Sequence, residues 1–412
     1  MKDLAARKEV GSLRSIVVLD SLFMTGYPAD EQLLRRALEL AVQGIGLASP
    51  NPCVGAVIAD PQGNIVGTGT YTYDGVKHAE ILALEAAGAK ARGGTLYINL
   101  EPHGHQGRTP PCTDALITAG IRRVVASMVD PNPQVSGRGF EQLRGAGVQV
   151  EVGLLEAEAR RLNDGFARYI RHGIPLVTLK AAMTLDGKIA PAPTEDQKHA
   201  PANAGFSGTW ITGELARAHV QALRHQQDAL LTGIGTILAD NPLLTDRSGL
   251  PRRRPLLRVV LDSRLQLPLE SRLAQSAASE RRNDVLVFYS SSGGDKQSQL
   301  EQLGVRVEKI PAASDGRPDL LAVLRRLGQL EITSVMIEAG ATINGAALSS
   351  NAVDKVALYY APTILAEAGS IPFAAMNEFR SSTSPLRVKQ IQIHRFGDDF
   401  AVEGYLRDPY TD

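Results

Sequence analysis

The stretch TLYINLEPHGHQGRTPPC, residues 95–112, joins a strand-forming run to side chains that bind metals. Its first six residues are apolar or β-forming, and they predict a buried strand. A proline turn follows, and then His103 and Cys112. Earlier in the chain, His78-Ala79-Glu80 opens a segment with helical periodicity. Together these segments predict an α/β domain that carries its chemistry where strands and helices meet.

The His-x-Glu spacing suits zinc-dependent deamination. A zinc deaminase needs three protein ligands, an open position for water, and a carboxylate that moves protons without binding the metal. At the start of a helix, His78 can supply a ligand while Glu80, two residues later, faces the substrate. The strand and the proline turn that follow can place the remaining ligands beside them. The pattern therefore predicts a metal centre with Glu80 as the catalytic residue.

Composition narrows the functional class. The chain has 412 residues, a length typical of two or three domains. Lys plus Arg and Asp plus Glu both number 44, and this balance argues against a nucleic-acid or membrane-surface protein. The two cysteines, Cys53 and Cys112, exclude a disulfide framework and favour a reducing compartment. No run approaches the roughly 20 apolar residues that span a bilayer, so we expect a cytoplasmic protein.

Alternating helical and strand patterns divide the chain into two α/β domains. Residues 1–27 have the character of an N-terminal extension, and residues 28–172 form the first predicted domain. Within it, Asp30–Leu47 and Leu155–Ile170 are predicted helices. A Gly-Ile-Pro break follows His172, and a second α/β pattern then fills residues 173–412. Both halves are long enough to bury a core of their own.

The sequence EPHGHQGRTPPCTDAL resembles the second zinc segment of the bifunctional riboflavin-biosynthesis deaminase/reductase family. Ser49-Pro50-Asn51-Pro52 and Asp130-Pro131-Asn132-Pro133 match the deaminase half of the same family. Several separated motifs occur in the right order from about residue 29 onward, so the resemblance is specific. It implies a cytidine-deaminase-like α/β/α domain followed by a dihydrofolate-reductase-like α/β domain.

Two positions depart from the family pattern in the first domain. His103 stands where the family usually has Cys, and Tyr71 stands where it usually has His. An imidazole also binds zinc, so the resemblance implies the ligands His78, His103 and Cys112. Neutral imidazole in place of a thiolate raises the charge of the site by one unit, which makes bound water more acidic and weakens metal retention. A damaged deaminase is the alternative.

The second half resembles the reductase domain of that family. The matching segments include Lys180–Lys188, Trp210–Gly213, Asp228–Thr236 and Glu338-Ala339-Gly340, although the family commonly has Gly at position 339. The resemblance implies NADPH as the cofactor. Gly233-Ile-Gly235-Thr236 follows a predicted strand and lets the backbone approach a pyrophosphate. No Rossmann G-x-G-x-x-G occurs, so this cofactor requires a different fold.

The resemblance also assigns binding residues. The predicted cofactor contacts are Met183, Trp210, Thr236, Asp240, Ser263, Gly340, Ala341, Thr342, Ile343, Asn344, Gly345 and Ala346. The predicted substrate contacts are Asn51, His105, Gly208, Arg224, Leu244, Arg247 and Glu338. Arg224 and Arg247 suit the substrate phosphate, because guanidinium groups pair with phosphate oxygens through two hydrogen bonds. For Lys180 and Asp186, the sequence supports a structural role and a functional role equally.

The expected activity is deamination of a diaminohydroxyphosphoribosylaminopyrimidine, followed by NADPH-dependent reduction of its ribose to a ribityl chain. The expected partner is this phosphorylated small molecule rather than nucleic acid or membrane, and a homo-oligomer is left open. One alternative is a monofunctional NADPH-dependent reductase with a vestigial first domain. Another is a nucleotide-binding or nucleic-acid-editing module on a deaminase fold, which the balanced charge disfavours.

Overall fold

A computed structural model describes residues 29–105, 110–192, 210–280, 282–375 and 385–411. The chain forms two units that divide between Gly173 and Ile174. The first unit also takes in Pro251–Arg254 and the C-terminal residues from Tyr410. No helix within the described ranges is long and apolar enough to cross a membrane. The predicted extension, residues 1–27, lies outside these ranges.

The first unit is an α/β/α layer structure. Its strands are β1 (Gly55–Ala59), β2 (Ile65–Thr70), β3 (Thr95–Ile98), β4 (Arg123–Ala126) and β5 (Gln149–Val152). Its helices are α1 (Ala29–Val42), α2 (Ala79–Ala87), α3 (Cys112–Ala119), α4 (Arg138–Gly145), α5 (Glu156–Leu162) and α6 (Asp164–His172). The sheet order is β2-β1-β3-β4-β5, with β1 antiparallel to both neighbours and β3, β4 and β5 parallel.

Both faces of this sheet are buried. Along β1, Ala56 and Ile58 pack with α2, while Val57 and Ala59 pack with α1, because successive side chains of a strand point to opposite faces. This explains why VGAVIA is apolar throughout rather than alternating.

Helix α2 lies unusually close to strand β2. A Cβ at Gly67 would be 2.1 Å from the carbonyl oxygen of Ala83, and a Cβ at Gly69 would be 2.1 Å from that of Ala79. Ala79 and Ala83 are fully buried and lie on one face of the helix. Two glycines facing a stripe of alanines therefore set the position of α2, and with it His78 and Glu80.

We expect Gly69→Ala to destabilise the first unit by about 1–3 kcal/mol, because the new methyl group must push α2 away from β2. Gly145→Ala is a matched control, since nothing lies within 4 Å of a Cβ built there. Urea unfolding followed by circular dichroism measures both variants. Equal stability of the two variants would contradict the close packing of α2 on β2.

The second unit is built on a larger sheet. Its strands are β6 (Leu176–Thr184), β7 (Lys188–Ala190), β8 (Ala229–Gly233), β9 (Leu257–Leu261), β10 (Val285–Tyr289), β11 (Arg306–Lys309), β12 (Ser334–Ile337), β13 (Lys355–Ala361), β14 (Ile371–Pro372), β15 (Lys389–Phe396) and β16 (Asp399–Tyr405). Its helices are α7 (Glu214–Gln226), α8 (Ile234–Asp240), α9 (Arg272–Glu280), α10 (Gly294–Gln302), α11 (Leu320–Gln329) and α12 (Ala341–Ser349). The main sheet has the order β11-β10-β9-β8-β12-β6-β13-β16-β15.

Strand direction in this sheet brings several chain segments to one edge. From β11 to β13 the neighbouring strands are parallel, whereas β13, β16 and β15 are antiparallel. Hydrophobic clusters cover both faces of the parallel part. The carboxyl ends of β9, β8, β12 and β6 are therefore adjacent, and such ends are where open α/β sheets bind ligands.

Three features differ from the sequence-based expectations. The predicted helix Leu155–Ile170 is two helices, α5 and α6, which meet at Asn163. Asn163 uses its side chain to accept a hydrogen bond from the Cys53 amide (2.8 Å) and donate one to the Cys53 carbonyl (3.1 Å). The predicted helix Asp30–Leu47 ends at Val42, and turns follow. The C-terminal strands β15 and β16 were not predicted.

Candidate metal centre and reductase site

Three predicted ligands converge in the first unit. His78 precedes α2, His103 follows β3, and Cys112 is the first residue of α3. Their ligand atoms all lie within 4.8 Å of one another, and Cys112 Sγ is 3.3 Å from His78 Nδ1. Among the described residues, this is the one His/Cys/Asp/Glu group that meets this distance criterion.

The chemistry of these donors fits zinc. Two imidazole nitrogens and one sulfur, with no fourth protein ligand among the described residues, leave a position for water. Burial and the nearby charge of Glu80 raise the pKa of the Cys112 thiol, which is completely buried. A bound cation would stabilise the thiolate at this position.

Glu80 lies in the first turn of α2 and is 3% exposed. Burial raises the pKa of this carboxyl group, because a charged carboxylate is poorly solvated there. A carboxyl group of raised pKa can take up and return a proton near neutral pH. The structure thus places a buried carboxyl group of raised pKa beside the ligand cluster.

The predicted site residues of the first unit, apart from Cys112, line one cavity of about 270 Å³. Its walls include Asn51, Tyr71, His78, Glu80, His103, His105, Asp130 and Asn132. This volume suits a pyrimidine ring. The cavity therefore brings together the predicted metal ligands His78 and His103, the catalytic residue and both predicted substrate contacts.

Tyr71, which departs from the family pattern, is buried next to the cluster. Its ring meets the His78 ring edge-on, with centroids 5.6 Å apart. Its hydroxyl accepts a hydrogen bond from the Asn51 amide (2.6 Å). The His103 ring lies 4.5 Å from that of His78 and 5.2 Å from that of His105. Tyr71 thus contacts a metal ligand and orients a predicted substrate contact.

Glu101 organises the loops around the cavity, a role that sequence reasoning missed. Its buried carboxylate accepts hydrogen bonds from the backbone amides of Asp130 (3.1 Å), Gly137 (2.8 Å) and Gly139 (2.9 Å). Gly139 also approaches the chain so closely that a Cβ would be 2.0 Å from the Pro102 carbonyl oxygen. The carboxylate thus fixes both the segment before His103 and the loop that carries Asp130.

Asp130 adds a second titratable group to the cavity wall. Burial, together with the charge of Glu101, raises its pKa to about 7, although a hydrogen bond from the Asn132 amide opposes this shift. The motif Asp-Pro-Asn-Pro therefore supplies a carboxyl group that can donate as well as accept hydrogen bonds. Cys53, the other cysteine, is half-buried and lies outside the ligand cluster.

In the second unit, three charged side chains form the centre of the predicted substrate site. Arg224 donates from Nε and Nη2 to the two oxygens of Glu338, at 2.8 and 2.9 Å. Lys180 Nζ is 3.7 Å from Glu338 Oε2. Burial alone would raise the pKa of Glu338, but the two cations outweigh it and lower this pKa to about 2. Lys180, which the sequence could not assign, thus joins two predicted substrate contacts.

The remaining predicted substrate contacts of the second unit are Arg247, Leu244 and Gly208. Arg247 is exposed and lies on the loop after α8, and Leu244 on the same loop is buried. Gly208 lies outside the described residues. Asp186 is not among the predicted contacts, and the sequence leaves its role open between structural and functional; it accepts hydrogen bonds from the Thr184 hydroxyl and from the amides of Leu365 and Ala366.

The predicted cofactor contacts follow the carboxyl ends of adjacent parallel strands. Met183 is the last residue but one of β6, Thr236 lies in the first turn of the helix after β8, Ser263 follows β9, and Gly340 follows β12 at the start of α12. A Cβ at Gly340 or Gly235 would meet no atom within 4 Å, so the backbone is open at both turns. An anion can approach such a helix start.

Other members of the predicted cofactor set are less accessible. Asn344 is buried and donates its amide to the Phe373 carbonyl, and a Cβ at Gly345 would collide with the backbone of Ala375. Met183 is also buried. Trp210, by contrast, is 73% exposed, and the guanidinium of Arg217 lies 5.0 Å above its ring.

Sequence comparison matches each half of the chain to a known domain. Residues 175–402 match the RibD C-terminal domain, and residues 28–128 match the cytidine and deoxycytidylate deaminase zinc-binding region. The riboflavin biosynthesis protein RibD of Aquifex aeolicus is 37% identical, over 90% of this chain and 97% of that protein. The RibD protein of Escherichia coli is 42% identical, over 82% of this chain and 88% of that protein.

Solved structures agree with these matches. Acinetobacter baumannii RibD superimposes with a TM-score of 0.75 at 35% identity and covers 92% of this chain and 98% of that one. A diaminohydroxyphosphoribosylaminopyrimidine deaminase/5-amino-6-(5-phosphoribosylamino)uracil reductase of Thermotoga maritima has a TM-score of 0.74 at 35% identity, with the same coverage. The chain therefore belongs to the RibD family of riboflavin biosynthesis proteins.

Proposed function

We propose that residues 28–172 deaminate a diaminohydroxyphosphoribosylaminopyrimidine and that residues 173–412 reduce the ribose of the product with NADPH. The observation that carries this proposal is the convergence of His78, His103 and Cys112 beside the buried Glu80. Family membership supports both activities. A vestigial first domain would have no reason to keep a ligand cluster and a proton carrier in one cavity.

In the first site, each side chain has a separate task. Zn²⁺ would be held by His78, His103 and Cys112 and would supply Lewis-acid activation of water. The Glu80 carboxylate accepts a proton from the attacking water and later gives it to the amine, which leaves as ammonia. Asn51, held by Tyr71, orients the pyrimidine edge. Because Glu80 is itself buried, its proton exchanges less readily with bulk solvent.

We expect His103→Ala to lose both bound zinc and ammonia release, while NADPH-dependent reduction continues. His103→Cys should bind zinc more tightly than the wild type, because a thiolate adds negative charge to the site. Zinc content after dialysis against a chelator, measured with ammonia release, tests both variants. A wild-type protein that takes up no zinc and releases no ammonia would favour the monofunctional reductase.

We expect Glu80→Gln to lower the rate of ammonia release by about 10²–10⁴-fold, because the amide cannot carry a proton. Zinc content should stay at the wild-type level, since Glu80 is not a ligand. Glu85→Gln, on the exposed side of the same helix, is the control. Loss of zinc in Glu80→Gln would instead make Glu80 a ligand.

In the second site, charges position the sugar phosphate. When bound, NADPH supplies the hydride for C1′ of the ring-opened sugar imine, and the imine nitrogen must gain one proton. Burial lowers the pKa of Lys180, which makes its ammonium a better proton donor. Glu338 holds Lys180 in place, and Arg224 holds Glu338. Arg247, whose side chain is exposed, binds the phosphate.

We expect Arg247→Ala to raise the substrate KM far more than the NADPH KM, at a cost of roughly 1.5–3 kcal/mol for the lost charge-assisted hydrogen bonds. Arg317→Ala, which removes an exposed surface ion pair, is the control and should leave both constants unchanged. Steady-state kinetics with each substrate varied in turn measures the difference. Equal increases in both KM values would move Arg247 to the cofactor site or to folding.

The cellular setting is also inferred. The balanced charge and the small cavity support a small-molecule substrate rather than nucleic acid. A chain with only two cysteines favours a reducing environment, which supports a cytoplasmic location. Homo-oligomerisation stays an open part of the proposal.

A further inference from the structure

One face of helix α7 holds the loop that carries Arg247. Arg224 Nη1 donates to the carbonyl oxygen of Thr245 (2.9 Å), and the backbone amide of Arg247 donates to the Gln221 side chain (3.0 Å). His225 Nδ1 lies 2.9 Å from Asp246 Oδ2. Positions 221, 224 and 225 are three and four residues apart, so they share one face of the helix. Three consecutive loop residues are thus tied to one rigid element.

The His225–Asp246 pair is the buried part of this attachment. The two side chains are 1% and 7% exposed. Burial alone would raise the pKa of Asp246, but hydrogen bonds from His225 and Ser248 outweigh it and keep the pKa below its usual range. The carboxylate is therefore ionised and can only accept, so the ring nitrogen of His225 donates. Charge assistance makes this bond stronger than one between neutral groups.

The loop needs such an attachment. Leu244, at its start, has a φ of 57°, in the left-handed region that a branched side chain rarely adopts. Such a conformation persists only where surrounding contacts hold it. Arg247 is exposed, so beyond its anchored backbone its guanidinium is free to reach a ligand. The attachment to α7 therefore determines where the Arg247 guanidinium can extend relative to Glu338. Glu338 is itself held by Arg224, which belongs to the same helix.

We infer that His225 and Asp246 act as a positioning pair, which fixes the loop so that Arg247 meets the substrate phosphate. This inference rests on the proposed role of Arg247. Neither residue of the pair contacts the reacting atoms; both act through the loop backbone. The phosphate is unchanged by reduction, so its binding affects ground state and transition state equally. Loss of the pair should therefore raise KM and leave kcat unchanged.

The test compares full-length wild type with Asp246→Asn, His225→Gln, the double variant and Arg247→Ala. Asp295→Asn, an exposed acid at the start of α10, is the matched control. We expect each single variant of the pair to raise the substrate KM on the order of tenfold, and the double variant to raise it no further, as coupled residues do. The NADPH KM and kcat should stay within about twofold of wild type, as should every constant of Asp295→Asn.

Inorganic phosphate serves as a second probe. As a competitive inhibitor of the reductase, it should bind more weakly to the pair variants by a similar factor. Gln221→Ala removes the acceptor for the Arg247 amide and leaves His225 and Asp246 intact. This variant is used in place of any pair variant that circular dichroism shows to be unfolded. It should also raise the substrate KM without changing that of NADPH.

Several results would overturn the inference. Folded variants with unchanged substrate KM, or with equal increases for substrate and NADPH, would reduce the pair to a stabilising contact. If Arg247→Ala raises the substrate KM and the pair variants do not, only the positioning role is contradicted, and the proposed phosphate site stands. If Arg247→Ala leaves KM unchanged, the proposed phosphate site fails, and the positioning role fails with it.

Discussion

The close packing of α2 on β2 is the constraint on which the first site depends. Gly67 and Gly69 let the helix backbone approach to a distance that any side chain would prevent. Because the helix begins at this point, His78 and Glu80 are brought to the carboxyl end of β3, where His103 follows. A methyl group at either glycine would displace α2, and His78 would then move away from His103 and Cys112, which belong to other elements. Packing in the core thus decides whether a metal can be held.

The two sites use buried charge in opposite ways. In the first unit, burial of Glu80 outweighs the opposing charge of His78, and its pKa rises, which suits a group that must carry protons. In the second unit, the half-buried Glu338 lies between Lys180 and Arg224, and its pKa falls to about 2, which suits a fixed negative charge that orients cations. The same residue type therefore serves proton transfer in one half and positioning in the other.

Local patterns in the sequence predicted much of the fold and the metal cluster. The motifs around His78, His103 and Cys112 lie beside strong strand and helix patterns, and the structure brings the three together. Hydrogen bonds between residues that are far apart in the sequence could not be predicted from such patterns. Glu101 bonds to amides 29 to 38 residues away, and Asn163 divides a continuous helical pattern because it holds Cys53 from 110 residues away. Lys180 gained a role only when a neighbouring strand placed Glu338 beside it.

The most direct test of the metal centre is X-ray absorption at the zinc edge of the purified, zinc-loaded protein. We expect one sulfur at about 2.3 Å and two imidazole nitrogens at about 2.0–2.1 Å, with a lighter atom from water in the fourth position. That first shell would place His103 in the role that the family pattern gives to a thiolate. Two sulfurs, which would require Cys53 as well as Cys112, or a shell without sulfur, would contradict the assignment of His78, His103 and Cys112 as the zinc ligands.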